Sequence, residues 1–112
     1  MNPRRLAAAA LVAAAAFSVA PPVAAQDVAA GRRKAIACQA CHGLDGLAKL
    51  ADAPHLAAQP APYLERALRA YRGGERRNEV MSVAARTLSD ADIRDLAAYY
   101  SAIQIEVKAL PQ

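Results

Sequence analysis

The chain has 112 residues, of which 4% are aromatic and none is Trp, and its 14 basic residues face 10 acidic ones for a formal net charge of +4. That length holds one small domain and no more. Two of the basic residues, Arg4 and Arg5, sit at the extreme N-terminus; without them 12 face 10, a balance that gives no ground for nucleic-acid binding.

In chain order, Asn2-Pro3-Arg4-Arg5 is a short basic segment, and Leu6 to Ala20 is apolar and rich in alanine, leucine and valine. Pro21-Pro22 interrupts the run, and Val23-Ala24-Ala25 offers the small residues of a processing site. Residues 1–25 therefore read as an export signal cleaved after Ala25, and residues 26–112 as a single domain. The apolar run is short and alanine-rich for a membrane span, so an uncleaved anchor is the less favoured alternative. Arg4-Arg5 resembles a twin-arginine address, but an ordinary basic leader accounts for it equally. Phe17 and Met1 leave with the leader. The mature aromatics are then Tyr63, Tyr71, Tyr99 and Tyr100, and Met81 is the sole methionine.

The mature chain shows helical periodicity and no strand alternation. Asp27 is placed to cap a first helix from about Val28 to Ala40. Gly43 to Gln59 contains Gly43, Gly46 and Pro54 and reads as a long loop, a length expected where a loop serves a site. A second helix runs from Pro62 to about Arg72 and ends at Gly73-Gly74, with Tyr63, Leu64, Ala67, Leu68 and Tyr71 on one apolar face. A loop over Gly73–Asn78 precedes a short helix near Val80–Arg86. Ser89 and Asp92 form a capping box for a last helix reaching about Ile103, with Ile93, Leu96, Ala97 and Tyr100 on one face. Residues 104–112 form a tail with no clear pattern.

Cys38-Gln39-Ala40-Cys41-His42 carries the chemistry. It reads C-x-x-C-H, the attachment signature of a c-type haem. Two thiols three residues apart can add across the two vinyl groups of one porphyrin. The histidine that follows supplies a neutral nitrogen to the iron from below. A thioredoxin-like redox pair would need a βαβ setting, which is lacking. Half a zinc site would need a second ligand pair, and only one other histidine, His55, exists. A structural disulfide is the third alternative. The composition favours haem: the mature chain is poor in large apolar residues, and one covalent haem c would complete its core. The two haem propionates would also bring the mature net charge near zero. Because haem is attached outside the bacterial cytoplasm, the expected location is the periplasm.

These features together resemble a class I c-type cytochrome of the small bacterial c553/c4-like group. The resemblance covers nearly all of the mature chain. It rests on Gly31, Cys38 to Gly43, Pro54-His55-Leu56-Ala57-Ala58-Gln59, Tyr63-Leu64, Tyr71 to Arg76, Met81, and Leu88 to Ile93 running into Leu96-Ala97-Ala98-Tyr99-Tyr100. It implies an all-α class I cytochrome c fold, about three to five helices wrapped around one covalent haem c. It implies that Met81 is the distal iron ligand, a role that also falls to it by elimination as the last methionine, although a gap-filling core methionine is the plain alternative. It implies that the Pro54 carbonyl accepts a hydrogen bond from the His42 imidazole. His55, the rival distal ligand, would then lie on the wrong side and be an exposed loop residue. The resemblance pairs Gly31 with Tyr99 at a close helix contact. It also marks one departure, Ala58, where the family usually has glycine before Gln59.

The function implied is electron transfer. With Cys38 and Cys41 attaching haem and His42 and Met81 filling both axial positions, no small-molecule substrate is expected. The partners are redox proteins whose identity the chain does not name. Arg72, Arg76 and Arg77, with Arg32, Arg33 and Lys34, are candidates for contacts to propionates or docking partners, Arg76 foremost, against a plain reading as solvated charge. The alternatives are a haem subunit of a larger periplasmic oxidoreductase, or a haem enzyme or gas sensor if the distal position is open.

Overall fold

A computed structural model describes residues 26–112; the leader expected over residues 1–25 lies outside the described residues. Among the described residues the regular structure is helical throughout: α1 (Val28–Ala35), a 3₁₀ turn (Ile36–Cys38), α2 (Gln39–His42), α3 (Ala61–Gly73), α4 (Met81–Ala84) and α5 (Asp90–Ala102). None of these helices is long and apolar enough to cross a membrane.

Caps set the helix starts. Asp27 is extended, and its carboxylate accepts from Ala30 N at 2.9 Å. Its own N–H donates to Asp95 Oδ1 at 3.0 Å, which ties the start of α1 to α5. The capping box at α5 closes in both directions: Asp92 N donates to Ser89 Oγ at 3.1 Å and Ser89 N to Asp92 Oδ2 at 2.9 Å. α3 ends on Gly74, whose φ of 83° is the left-handed conformation that glycine takes without a Cβ penalty.

Three expectations need correction. The first helix does not run as one α-helix to Ala40; it tightens to 3₁₀ at Ile36 and restarts at Gln39. Three residues per turn instead of 3.6 shifts the angular phase of everything after Ala35. On α3, Tyr63 does not share the apolar face: it is 43% exposed while the neighbouring Leu64 is buried. Neighbours on a helix lie about 100° apart, so the buried stripe is the narrower set Ala61, Leu64 and Leu68. The short helix is one turn, Met81–Ala84, rather than Val80–Arg86.

α5 is the axis of packing. It buries Ile93, Leu96, Ala97, Ala98 and Tyr100, with α1 on one side and α3 on another. Ala35, Leu64, Leu96, Ala97 and Tyr100 form the central cluster, on which Cys38, Leu44, Leu56, Leu68, Leu88 and Ile103 pack. Side-chain pairs reinforce the arrangement. Lys34 Nζ meets Asp92 Oδ1 at 2.5 Å, and Arg72 donates to Asp90 Oδ1 at 2.6 Å and to Leu88 O at 2.9 Å. Hydrogen bonds from Arg72 and Lys34 hold the Asp90 and Asp92 carboxyls below the usual carboxylate range. Exposed pairs of this kind add little energy, but they fix where α1 and α3 meet the start of α5.

At Gly31 the backbone of α1 packs directly against that of α5. A Cβ there would collide with the Asp95 backbone carbonyl and come within 2.8 Å of Tyr99 Cβ. Backbone cannot swing away as a side-chain tip can. Gly31→Ala is therefore expected to destabilise the folded protein by roughly 1–3 kcal/mol or more. Chemical denaturation of the two proteins checks this, and an unchanged midpoint would reject the close contact.

Candidate cofactor site

The C-x-x-C-H residues sit where the 3₁₀ turn meets α2. Cys38 ends the turn; Cys41 and His42 belong to α2. Both thiols are free and half-buried. Burial, and secondarily the neighbouring Cys41, pushes the Cys38 thiol above its ordinary value. His42 is only 7% exposed. Its Nδ1 lies 3.0 Å from Pro54 O. A carbonyl only accepts, so Nδ1 carries the proton and Nε2 is left with a lone pair. Nε2 has no hydrogen-bond partner among the described residues, yet it is not sealed from the surface. A buried imidazole held by one nitrogen and open at the other is the arrangement a metal ligand requires.

The loop that delivers Pro54 is held at both ends. Gly43 turns the chain out of α2 with φ 73°, and Lys49 N donates to Cys41 O at 2.8 Å. Leu56 N and Ala57 N donate to Gly46 O at 2.8 and 3.1 Å. α5 clamps the loop from behind: Tyr99 Oη donates to Leu44 O at 2.6 Å and Tyr100 Oη to Gly43 O at 3.4 Å. Burial raises the Tyr100 hydroxyl far above its ordinary pKa, so it stays a donor. Ala58 N closes the loop on Tyr100 O at 3.0 Å. Ala58, the departure noted in the sequence, keeps the left-handed conformation with φ 60°. That conformation costs a residue with a Cβ about 1–2 kcal/mol, which the surrounding bonds offset. His55 is exposed, and its Nδ1 accepts from Ala48 N at 2.7 Å, so this nitrogen is committed within the loop.

Met81 is half-buried and opens α4. Its N–H and that of Val80 donate to one oxygen, Asn78 Oδ1, at 2.9 and 3.0 Å. Asn78 N in turn donates to Ser82 Oγ at 3.1 Å. Of the basic candidates, Arg72 and Lys34 are engaged with α5, and the Arg76 guanidinium lies 4.7 Å from the centre of the Tyr71 ring. Arg32, Arg33 and Arg77 are exposed.

Sequence reasoning missed Asn78 and the two tyrosine hydroxyls. Asn78, three residues before Met81, is of a residue type whose side chain bonds backbone N–H groups two or three residues on, and that local signal would have found it. The hydroxyl bonds depend on residues 55 and 57 positions apart and leave no local pattern.

Two free thiols and one imidazole nitrogen come together where the 3₁₀ turn meets α2, beside a thin core. Among the described residues Ile93 is the one large side chain fully shut from solvent, while Leu47, Leu50, Val80 and Val83 remain exposed. Those residues fit a flat, largely apolar porphyrin with an iron at its centre. No group of three or more His, Cys, Asp and Glu that could hold a bare metal ion is present among the described residues. The family profile of cytochrome c matches residues 28–103, from the first residue of α1 to the residue that caps α5. The chain belongs to the cytochrome c family. It is 47% identical over 78 residues to cytochrome c-554(548) of Halomonas halodenitrificans, covering 67% of this chain and 94% of that protein. It is 42% identical over 84 residues to a thiosulfate dehydrogenase electron acceptor of Thiomonas intermedia, covering 74% of this chain but only 39% of that one. Among solved structures, reduced cytochrome c4 from Pseudomonas stutzeri superposes with a TM-score of 0.67 at 35% identity, over 71% of this chain and 47% of the other. This small class I c-type cytochrome has the all-α fold of its relatives, carries covalent haem c and works in electron transfer.

Proposed function

We propose that this cytochrome is a periplasmic single-haem electron carrier in which Cys38 and Cys41 form the two thioether links, His42 is the proximal ligand and Met81 the distal one. The observation that carries the reading is the buried His42 ring, bonded through Nδ1 to Pro54 O with Nε2 free. Haem c, once attached, supplies an iron that exchanges one electron between Fe(II) and Fe(III). The chain's own residues do the rest. Pro54 fixes the tautomer and plane of His42, and Tyr99 and Tyr100 hold the loop between them. Met81 contributes a soft thioether that favours the ferrous state and raises the potential. Haem held by His42 and Met81 would leave no coordination site for a substrate, and partner proteins would be met in small, transient contacts. Arg76, whose guanidinium lies over the Tyr71 ring, is the candidate to meet a propionate or an acidic partner. Residues 1–25 are the leader that delivers the chain to the periplasm before haem is attached.

A second reading, a haem subunit tightly bound to a larger oxidoreductase, draws on the relative named as an electron acceptor of thiosulfate dehydrogenase. A stoichiometric partner that survives purification from the periplasm would favour it; a free monomer favours the carrier.

Attachment is tested directly. Acid-acetone extraction should leave the haem on the polypeptide, and mass spectrometry should give residues 26–112 plus one haem. Haem found in the acetone phase would reject Cys38 and Cys41 as its anchors.

A further inference from the structure

We infer that Asn78 is a positioning residue for Met81, holding the backbone from which the thioether projects. The inference rests on the reading of Met81 as distal ligand.

α4 is a single turn of four residues. A turn that short cannot sustain itself, because the cost of ordering it is offset by almost no internal hydrogen bonding. Packing does little for its outer side: Val80 is 63% and Val83 62% exposed. The anchoring is polar. Asn78 Oδ1 takes both the Val80 and the Met81 N–H, at 3.0 and 2.9 Å. Ser82 closes the ring, its Oγ accepting from Asn78 N at 3.1 Å and its N–H donating to Asn78 O at 2.9 Å. The residue bonded to the Asn78 amide is thus the residue whose side chain must reach the iron. On its other side, Met81 O accepts from Ala85 N at 2.9 Å, and Ala85 is fully buried. Met81 is pinned between a buried alanine behind it and the Asn78 amide in front. Removing the amide oxygen frees two backbone donors at once and loosens the ligand without touching it.

The test uses holoprotein: wild type, Asn78→Ala, Asn78→Asp and Ser82→Ala. Carbon monoxide enters the reduced protein only when the thioether has left the iron, so its uptake rate reads the detached population. Loss of these two bonds should raise that rate in Asn78→Ala by roughly fivefold to tenfold, the size of effect known for losing a side-chain oxygen that accepts from helix-start N–H groups. Asn78→Asp keeps an acceptor oxygen and should stay close to wild type. Ser82→Ala, which removes one bond of the ring, should show a smaller increase. A merely structural residue would lower the denaturation midpoint and leave uptake under native conditions unchanged. Wild-type uptake in Asn78→Ala, or failure of Asn78→Asp to restore it, overturns the inference. A wild-type protein that lacks the near-infrared methionine–iron band and takes up carbon monoxide freely would reject Met81 as ligand, and the role of Asn78 with it. A wild type that shows the band beside an unaffected Asn78→Ala rejects Asn78 alone.

Discussion

Met81→Ala should abolish the near-infrared band of the ferric protein, open the reduced protein to carbon monoxide and lower the reduction potential. On the proposed ligation the thioether is the soft ligand of the pair, and its loss removes a preference for Fe(II). Axial ligands set haem potentials across a span of about 0.8 V, so a fall on the order of 0.1–0.3 V is expected. The alternative donor in the loops, His55, has Nδ1 committed to Ala48 N and cannot step in without breaking that turn. The fold itself should survive, because Met81 is half-buried and outside the central cluster. Optical spectra, carbon monoxide titration and a redox titration check the three parts together. If the wild type already binds carbon monoxide and lacks the band, the carrier reading gives way to a sensor or enzyme with an open distal position.

What could be read from the sequence followed from where the physics is local. The starts of α1 and α5 were legible because Asp27 and the Ser89–Asp92 pair satisfy backbone groups within three residues. The C-x-x-C-H stretch was legible because its chemistry requires five contiguous residues. Pro54 lies on a loop and only the family resemblance singled it out, whereas Met81, at the start of α4, was also reached by elimination as the last methionine of the mature chain. The 3₁₀ turn at Ile36–Cys38 was not legible: Ala35-Ile36-Ala37 contains no glycine, proline or capping residue to mark a change of helix type. Spacing alone puts Tyr63 on the apolar face, whereas its neighbour Leu64 occupies the contact with α5. Ala58 was visible as a departure from the family pattern. That it keeps the left-handed turn could come only from the backbone, where the N–H bonded to Tyr100 O holds it in place.

A chain without haem, made as the Cys38→Ser, Cys41→Ser double mutant, should be largely unfolded or molten. Among the described residues, five of the nine buried apolar ones are alanines: Ala35, Ala57, Ala85, Ala97 and Ala98. An alanine contributes one methyl to the core, yet ordering each residue's backbone costs about 1–2 kcal/mol. The longest helices, α3 and α5, have 13 residues each, within the range where an isolated helix is marginal in water and needs tertiary packing to persist. The contacts that place α2 and α4 are mostly loop hydrogen bonds, which compete with water once no apolar surface shields them. Covalent haem, bonded through Cys38 and Cys41 and ligated by His42, would tie the segment after α1 to the Pro54 loop and to α4, joining elements that share little core of their own. Far-UV circular dichroism of the double mutant should therefore lose roughly half or more of the holoprotein's helical signal, without a cooperative thermal transition. Native-like ellipticity with a sharp transition would show that the alanine-rich core folds on its own and that haem is added to a finished structure.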